Sequence, residues 1–278
     1  MDTNLNQVFY PANFNDLFST WNRYPDAVPY AGGTDFLRWQ SINIIKLPKV
    51  VLCLDKIEEL RRITRTEQYL EIGAMVKLNQ LFRLGKIVPQ ILYRCMENIA
   101  GVQVRNISTI GGNICASSGL HDLSAVLTAL DAQYEIRGAN STTWISAVRF
   151  HDKNPLKKQE ILTRIRLPLI QWDYSIYKKF PSKDNFLDNL SAEVLVFLAR
   201  AKKTILTDLR VVYKSGKILR NRNSEDSLMG KNLPLSRKIA FEFVENWKEF
   251  LGGRRDVSEF SKNALLKNIE ENVFLLSD

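Results

Sequence analysis

The chain has 278 residues, of which 45% are hydrophobic and 25% are charged, and its formal net charge is +9. At about 150 residues per domain, this length predicts two lobes with a substantial core. No apolar run approaches the ~20 residues of a membrane-spanning helix, the N-terminus lacks a signal-peptide pattern, and three cysteines are too few for a disulfide framework. We therefore expect a cytoplasmic protein without a membrane span.

The basic residues are dispersed along the chain, with short clusters at residues 202–203, 237–238 and 254–255. Acidic residues lie between these clusters, and no zinc-finger spacing or RNA-binding aromatic pattern accompanies them. This pattern favours solvated faces, or an acidic partner surface, over nucleic-acid binding. Nucleic acid remains the weaker alternative.

The first 55 residues predict a small α/β unit. Residues 14–21 (FNDLFSTW) have the pattern of a short helix, and residues 27–31 and 50–54 have the pattern of short buried strands. The glycine turn YAGGTD, residues 30–35, follows the first of these strands.

A second unit begins near residue 56. Residues 69–74, 133–137 and 160–167 are predicted strands, and residues 78–85, 89–100 and 123–130 are predicted helices. A second glycine turn, TIGGN, occupies residues 109–113. Pro168 marks the predicted end of this unit.

The last third of the chain has strands in succession, followed by helices. The strand candidates are residues 174–180, 192–199 and 205–213, and the amphipathic helices lie near 236–250 and 258–275. Residues 218–233 are polar and predict a loop. Strands followed by helices indicate an antiparallel sheet covered on one face, and hence an α+β protein.

The two glycine turns are the main functional feature. A pyrophosphate needs backbone N–H groups aimed at it and no Cβ in the way, which glycine pairs provide. Each turn alone is equally consistent with an ordinary corner between two elements. Neither GxGxxG nor GxxxxGK[ST] is present, so the Rossmann and P-loop motifs are excluded.

Polar side chains adjoin both turns. The Thr34 hydroxyl suits a phosphate oxygen, Asp35 suits a sugar hydroxyl or the backbone of its own turn, and Asn113 both donates and accepts. Asp122 precedes the apolar run LSAVLTAL, so it is predicted either to cap that helix or to accept from ribityl or ribose hydroxyls.

The two histidines do not indicate a metal site. His121 has no second histidine at ligand spacing, and His151, in the polar stretch FHDKNP, is predicted to lie at the surface. Nothing resembles a strained nucleophile elbow. We therefore predict no metal and no catalytic acid, base or nucleophile supplied by the chain.

Residues 99–136, IAGVQVRNISTIGGNICASSGLHDLSAVLTALDAQYEI, strongly resemble the FAD-binding domain of the molybdopterin dehydrogenase family. YAGGTDFL is similar to that family's first flavin loop, EILTRIRLPL to its strand before the C-terminal domain, and RRDVSEFSKNALL to its closing helix. The resemblance implies a two-lobed fold of the PCMH type: a small α/β unit (1–55) and a mixed-sheet unit (56–168). An α+β domain (169–278) with a three-stranded antiparallel sheet and helices would follow.

The resemblance also implies FAD as cofactor and a set of residues that line it. By matching position these are Tyr30, Ala31, Gly32, Gly33, Thr34, Asp35, Phe36, Ile99, Ala100, Thr109, Gly111, Gly112, Asn113, Asp122, Ile161, Leu162 and Lys178. The first loop and TIGGN are expected to hold the pyrophosphate, and Lys178 to lie near the flavin ring. Ser118-Gly119 in place of Ser-Pro, Ala116 in place of a polar residue, and His121 in place of a small one depart from the family pattern.

The function implied is that of the FAD-binding, electron-transferring subunit of a molybdenum hydroxylase. Electrons would come from the [2Fe–2S] clusters of a partner subunit, beside a molybdopterin-binding large subunit, and leave to NAD⁺ or another acceptor. The departures at residues 118–121 leave open a cofactor-free scaffold of the same complex. A self-sufficient flavin oxidase is a third reading, disfavoured because no histidine or cysteine stands in a pattern for covalent flavin attachment.

Overall fold

The computed structural model describes residues 6–38, 40, 46–116, 121–153, 156–180 and 192–277. Within these ranges the chain forms three sheets, each of which lies inside one of the three predicted segments. The elements are predominantly those that periodicity predicts, so the α+β class is confirmed. The exact domain boundaries remain a prediction.

The first unit is a three-stranded parallel sheet with two helices. Its elements are β1 (Gln7–Phe9), α1 (Phe14–Arg23), β2 (Val28–Tyr30), α2 (Thr34–Arg38) and β3 (Val50–Cys53). The strand order is β1-β3-β2. Helix α1 begins where the Asn13 side chain accepts a hydrogen bond from Asp16 N at 2.9 Å. Its apolar side chains, from Phe14 to Trp21, then pack into the core.

The second unit builds a five-stranded sheet and the helices beside it. Its elements are β4 (Ile63–Arg65), β5 (Tyr69–Gly73), α3 (Leu78–Arg83), α4 (Gln90–Glu97), α5 (Val102–Ile107), α6 (Ile110–Cys115), α7 (Leu123–Ala129), β6 (Gln133–Arg137), β7 (Thr142–Ser146), α8 (Ala147–Lys153) and β8 (Ile161–Pro168). The strand order is β4-β5-β8-β6-β7.

This sheet corrects the expectation of a mixed sheet, because every strand pairing in it is antiparallel. Strands β5 and β6 run in the same direction, joined by the intervening helices. Strand β8 enters between them and pairs with both, so no two neighbouring strands run parallel.

The third unit is a four-stranded antiparallel sheet with three helices. Its elements are β9 (Tyr174–Phe180), β10 (Glu193–Lys202), β11 (Ile205–Ser215), β12 (Lys217–Arg220), α9 (Arg222–Leu228), α10 (Arg237–Gly252) and α11 (Glu259–Phe274). The strand order is β12-β11-β10-β9.

The fourth strand and α9 correct the prediction of a three-stranded sheet followed by a loop at 218–233. Ile218 and Leu219 supply the apolar contacts of the added strand. In α9, the buried Glu225 accepts from Val211 N at 2.8 Å and pairs with Arg220 at 2.9 Å. The polar composition of this stretch predicts a loop, but its buried polar groups form hydrogen bonds and ion pairs within the fold, so a strand and a helix are stable there.

The third sheet is also buried on both faces rather than on one. Leu195 and Phe197 of β10 pack in the cluster that includes α10 and α11. Val194 and Val196, the alternate residues, belong to the main core shared with the first two units. Successive side chains of a strand point to opposite faces, so the unbroken apolar run of β10 reflects a layer on each side.

No helix in the described part of the chain is long and apolar enough to cross a membrane. Likewise, the described residues contain no group of histidine, cysteine and acidic side chains arranged to hold a metal ion.

Candidate functional site

The two glycine turns meet across one cleft of about 450 Å³. The first turn runs from the end of β2 into α2, and the second is the start of α6. The described residues that line the cleft are 28–36, Gln40, Pro48, Val51, Ser108, Thr109, Gly112, Asn113, Cys115, Ala116 and His121. This volume lies within the range of small-molecule and cofactor sites.

The first turn offers free backbone donors. In the part of the chain that the structure describes, the N–H groups of residues 32–36 donate to no acceptor. Gly33 has a φ of +70°, a left-handed conformation that favours glycine. Consecutive free N–H groups in a tight turn make an anion-binding concavity.

Gly32 serves a different purpose, since a Cβ there would collide with the carbonyl oxygen of Ile107. This contact brings the first turn against the end of α5, just before the second turn begins. The cleft is therefore framed by two backbone segments in direct contact.

The second turn is the first turn of a helix, and its donors are already used. Thr109 caps α6 by accepting from Gly112 N at 3.0 Å. The N–H groups of Ile110 and Gly111 donate to the carbonyls of Val76 and Ala74, at 2.9 and 2.8 Å. Neither Gly111 nor Gly112 has a positive φ. This turn contributes side chains to the cleft rather than free N–H groups.

Two buried acceptor atoms belong to residues of the cleft wall. Neither Asp35 Oδ1 nor Asn113 Oδ1 has a hydrogen-bond donor among the described residues. His121 stands between them, with Nδ1 3.2 Å from Asn113 Nδ2 and Nε2 3.5 Å from Asp35 Oδ1. Buried acceptors without partners are uncommon and suit the hydroxyl groups of a bound ligand.

The surroundings of His121 disfavour its charged form. Burial lowers its pKa, the Asp35 carboxylate opposes this, and the positive charges of Lys214 and Arg38 lower it further. With Asn113 Nδ2 donating to Nδ1, the ring carries its proton on Nε2, which faces Asp35. His121 thus links the two turns through its contacts with Asp35 and Asn113.

Asp122 is a buried ion-pair partner and does not cap α7. Its backbone is helical and its side chain makes no capping hydrogen bond, so that alternative is wrong. Its Oδ2 accepts from Lys179 Nζ at 2.7 Å and from the Tyr177 hydroxyl at 3.2 Å. Burial and the Asp122 carboxylate raise the pKa of Tyr177. The contact of Asp122 with ribityl or ribose hydroxyls remains a prediction.

The structure brings only part of the predicted set together in the cleft. The residues that line it are Tyr30, Ala31, Gly32, Gly33, Thr34, Asp35, Phe36, Thr109, Gly112 and Asn113. The residues that do not line it are Ile99, Ala100, Gly111, Asp122, Ile161, Leu162 and Lys178. Their contact with the cofactor is not shown by this arrangement.

Two pairs of residues in the second set have other evident roles. The carbonyls of Ile99 and Ala100 accept from Arg105 Nη1 at 2.8 and 2.6 Å. Ile161 and Leu162 begin β8 and are buried in the main core.

Lys178 lies on the α11 side of the third sheet, away from the cleft. Its Nζ donates to Asn268 Oδ1 at 2.8 Å and pairs with Glu271 Oε2 at 3.0 Å. The next residue, Lys179, lies on the opposite face and pairs with Asp122. A resemblance in sequence assigns a position on the strand, whereas the pleat decides which face that position occupies.

A smaller cavity of about 70 Å³ adjoins the cleft; we call it the inner cavity. Its described lining residues are Asn113, Ile114, Ala116, His121, Ser124, His151, Lys214, Gly216, Lys217 and Ile218. His151 was expected at the surface, yet its Nε2 lies 3.0 Å from the Tyr134 hydroxyl. Burial, with a contribution from the Lys214 charge, lowers the pKa of His151 to about 4.

Sequence reasoning missed Ser108, Cys115 and Lys214 as wall residues. Lys214 was detectable in principle, because it directly follows the apolar run VVY (residues 211–213) at a position that faces the same side as Val212. The departure at Ser118 and Gly119 lies outside the described residues.

Comparison with known proteins identifies the family of the chain. Residues 3–170 match the family described as the FAD binding domain in molybdopterin dehydrogenase. Xanthine dehydrogenase 2 of Arabidopsis thaliana is 26% identical over 247 residues, which is 81% of this chain but 18% of that relative. The nicotinate dehydrogenase FAD-subunit of Eubacterium barkeri is 29% identical over 174 residues, 57% of each chain.

Solved structures show the same fold over nearly the whole length. A carbon monoxide dehydrogenase chain from Hydrogenophaga pseudoflava superposes with a TM-score of 0.80 at 21% identity, covering 98% of this chain and 96% of that one. Quinoline 2-oxidoreductase of Pseudomonas putida 86 gives a TM-score of 0.78 at 18% identity, with 98% and 95% covered. The chain therefore belongs to the FAD-binding domain family of molybdopterin dehydrogenases, a family of oxidoreductases whose cofactor here is FAD.

Proposed function

We propose that this chain is the electron-transferring flavin subunit of a molybdenum hydroxylase. In this proposal it binds FAD in the cleft, receives electrons from a partner's [2Fe–2S] clusters and passes them to NAD⁺ or another acceptor. The observation that carries the proposal is the composition of one cleft wall: among the described residues, the N–H groups of residues 32–36 have no acceptor, and the buried Asp35 Oδ1 and Asn113 Oδ1 have no donor.

The hydrogen-bonding groups and apolar residues of the cleft match the pyrophosphate, sugar and ring portions of FAD. The free N–H groups of the first turn suit the pyrophosphate oxygens, and the Thr34 hydroxyl adds a further donor. Asp35 Oδ1 and Asn113 Oδ1 suit sugar hydroxyls. Val28, Pro29 and other apolar residues provide a wall against which an aromatic ring packs.

In this role the chain's residues bind and orient the cofactor, and they donate no proton to a substrate. When bound, FAD supplies the redox chemistry, and the protein determines its position and its electrostatic surroundings. The chain contains three cysteines, whereas a [2Fe–2S] cluster is held by four cysteines in its usual form. The clusters and the molybdopterin are therefore proposed to reside on partner subunits.

A cytoplasmic location is part of the same proposal. Cys53, Cys95 and Cys115 are all free thiols. Unpaired cysteines in this number are typical of a reducing compartment.

The first experiment is an absorbance spectrum of the purified chain, recorded before and after incubation with FAD and desalting. Flavin bands near one equivalent that bleach with dithionite would support the proposal. Bleaching by NADH in the same sample would then support NAD⁺ as the acceptor, and bleaching by dithionite alone would favour another acceptor.

A cofactor-free scaffold is the second candidate. It is favoured by one observation: His121 already stands between Asp35 and Asn113, the acceptors that a flavin would need. A spectrum that stays blank after incubation with FAD, for both the wild type and a His121→Ala variant, would favour the scaffold. Flavin bands in the variant alone would show that His121 closes an otherwise competent site.

A further inference from the structure

The inner cavity is a direct neighbour of the cleft. The two share Asn113, Ala116 and His121 as wall residues. Its volume of about 70 Å³ is roughly the space of two water molecules, at ~30 Å³ each. The inner cavity therefore has room for the polar edge of a ligand's ring system, while the rest of that ring lies in the cleft.

Lys214 is the deepest charged group of this cavity. Its side chain is 2% exposed, and in the described chain its Nζ donates no hydrogen bond. Among the described residues, the one carboxylate within ion-pair range is that of Asp122. Its Oδ1 is 3.9 Å away, while its Oδ2 already accepts from Lys179 and Tyr177. A buried ammonium without a close acceptor is costly unless a ligand provides one.

The remaining groups around Lys214 do not neutralise it. His121, His151 and Lys217 line the same cavity, and its described wall contains no carboxylate. The positive charge of Lys214 contributes to the lowered pKa of both histidines. Burial lowers the pKa of Lys214 itself, with the Asp122 carboxylate opposing that shift and the Lys179 charge adding to it. The cavity is therefore a positive pocket that suits an anionic or strongly accepting group.

We propose that Lys214 contacts the edge of the flavin ring that carries negative charge after reduction, and so favours reduced over oxidised FAD. This inference rests on the proposed function, because it assumes that FAD occupies the cleft. Positive charge near the ring nitrogens is one of the ways in which proteins tune a flavin. Lys178, the lysine that the resemblance places near the flavin ring, is held by Asn268 and Glu271 on the other face of the sheet.

The test compares two lysine variants that remove the same charge from the same sheet. Lys214→Met removes the ammonium in the inner cavity, and Lys178→Met removes the one that faces α11. Both proteins are loaded with FAD, and the two-electron midpoint potential is measured by equilibration with a reference dye. The dissociation constants of oxidised and reduced FAD are measured alongside, and circular dichroism checks the fold.

We expect Lys214→Met to weaken the binding of reduced FAD about tenfold more than that of oxidised FAD. For a two-electron couple this corresponds to a midpoint potential lower by about 30 mV. Lys178→Met should leave the potential unchanged. If Lys214→Met does not fold, Lys214→Gln, which retains a polar end, should lower the potential in the same direction.

Three outcomes would overturn the inference. Equal potentials in the wild type and the Lys214 variants would overturn it while leaving FAD binding intact. Tighter binding of both redox forms by Lys214→Met would show that the lysine only fills the ring's space. A wild type that binds no FAD would overturn the inference together with the proposed function.

Discussion

The two glycine turns look alike in the sequence, yet they act differently in the structure. In the first, the N–H groups of residues 32–36 have no acceptor within the described ranges, and so they offer donors to a ligand. In the second, the N–H groups of Ile110, Gly111 and Gly112 are satisfied by Val76, Ala74 and Thr109. A glycine pair in the sequence therefore indicates only that another group comes close to the backbone at that point. The hydrogen bonds of the backbone N–H groups then show whether that group is another part of the protein or leaves room for a ligand.

The largest expected effect concerns the fold, at the second turn. A Cβ at Gly111 would lie 2.6 Å from the Ala74 Cβ, inside the core. Gly111→Val should therefore lower the free energy of unfolding by about 3 kcal/mol, as overpacking does. Urea denaturation would measure this, with Gly252→Val, where a Cβ meets nothing within 4 Å, as the matched control. An unchanged midpoint for Gly111→Val would refute the structural role of this turn.

The next effect concerns binding, at the first turn. Gly33→Ala places a Cβ at a φ of +70° and against the Tyr30 hydroxyl, which must move. We expect FAD affinity to fall about 100-fold, because displacement of the turn removes one or two hydrogen bonds to a charged phosphate. The free energy of unfolding should fall by only about 1 kcal/mol. Fluorescence titration with FAD measures the first quantity, and a binding loss no larger than the stability loss would contradict the assignment.

A third prediction concerns how the stability of the fold depends on pH, through His151 in the wall of the inner cavity. The pKa of His151 is about 4 in the folded protein, below the ~6.5 of an unfolded histidine. The unfolded chain therefore binds a proton first as the pH falls, so stability decreases from about pH 6.5 toward pH 4, by at most ~1.4 kcal/mol per pH unit.

Urea denaturation at a series of pH values would reveal this slope. His151→Gln should make it shallower, and the contribution of His121, whose pKa is also lowered, should remain. The same slope in both proteins would show that the burial of His151 is not linked to folding.

The smallest effect is expected at Asn113, where the second turn contributes a side chain. Asn113→Ala removes a buried acceptor and the contact with His121, so FAD affinity should fall about tenfold. Asn106→Ala, which changes an exposed amide at the end of α5, is the control and should bind as the wild type does. Equal affinities for the two variants would exclude Asn113 from the site.

Much of the fold was predictable because its elements carry strong periodic patterns. Helices α1, α10 and α11 and strand β10 follow from spacing alone. Strand β12 and helix α9 were not predictable in this way. Glu225 and Arg220 form an ion pair with each other in the fold, but in the sequence they resemble the charged residues of a loop.

The site was predictable only in part, for a similar reason. The resemblance identified the residues of the first turn and Thr109, Gly112 and Asn113 on the cleft wall. It did not fix the side of the sheet on which Lys178 lies, which depends on the pleat of β9. Nor did it pair Asp122 with Lys179 and Lys214, because those contacts join elements that are distant in sequence.

The contact of Gly32 with the Ile107 carbonyl has a consequence for redesign. Since main chain meets main chain there, the backbone alone sets how closely the first turn approaches the end of α5. Substitutions at Thr34, Asn113 or Ala116 would alter which groups a ligand meets while this backbone contact is retained. The same frame is thus a convenient scaffold for libraries that vary cofactor preference.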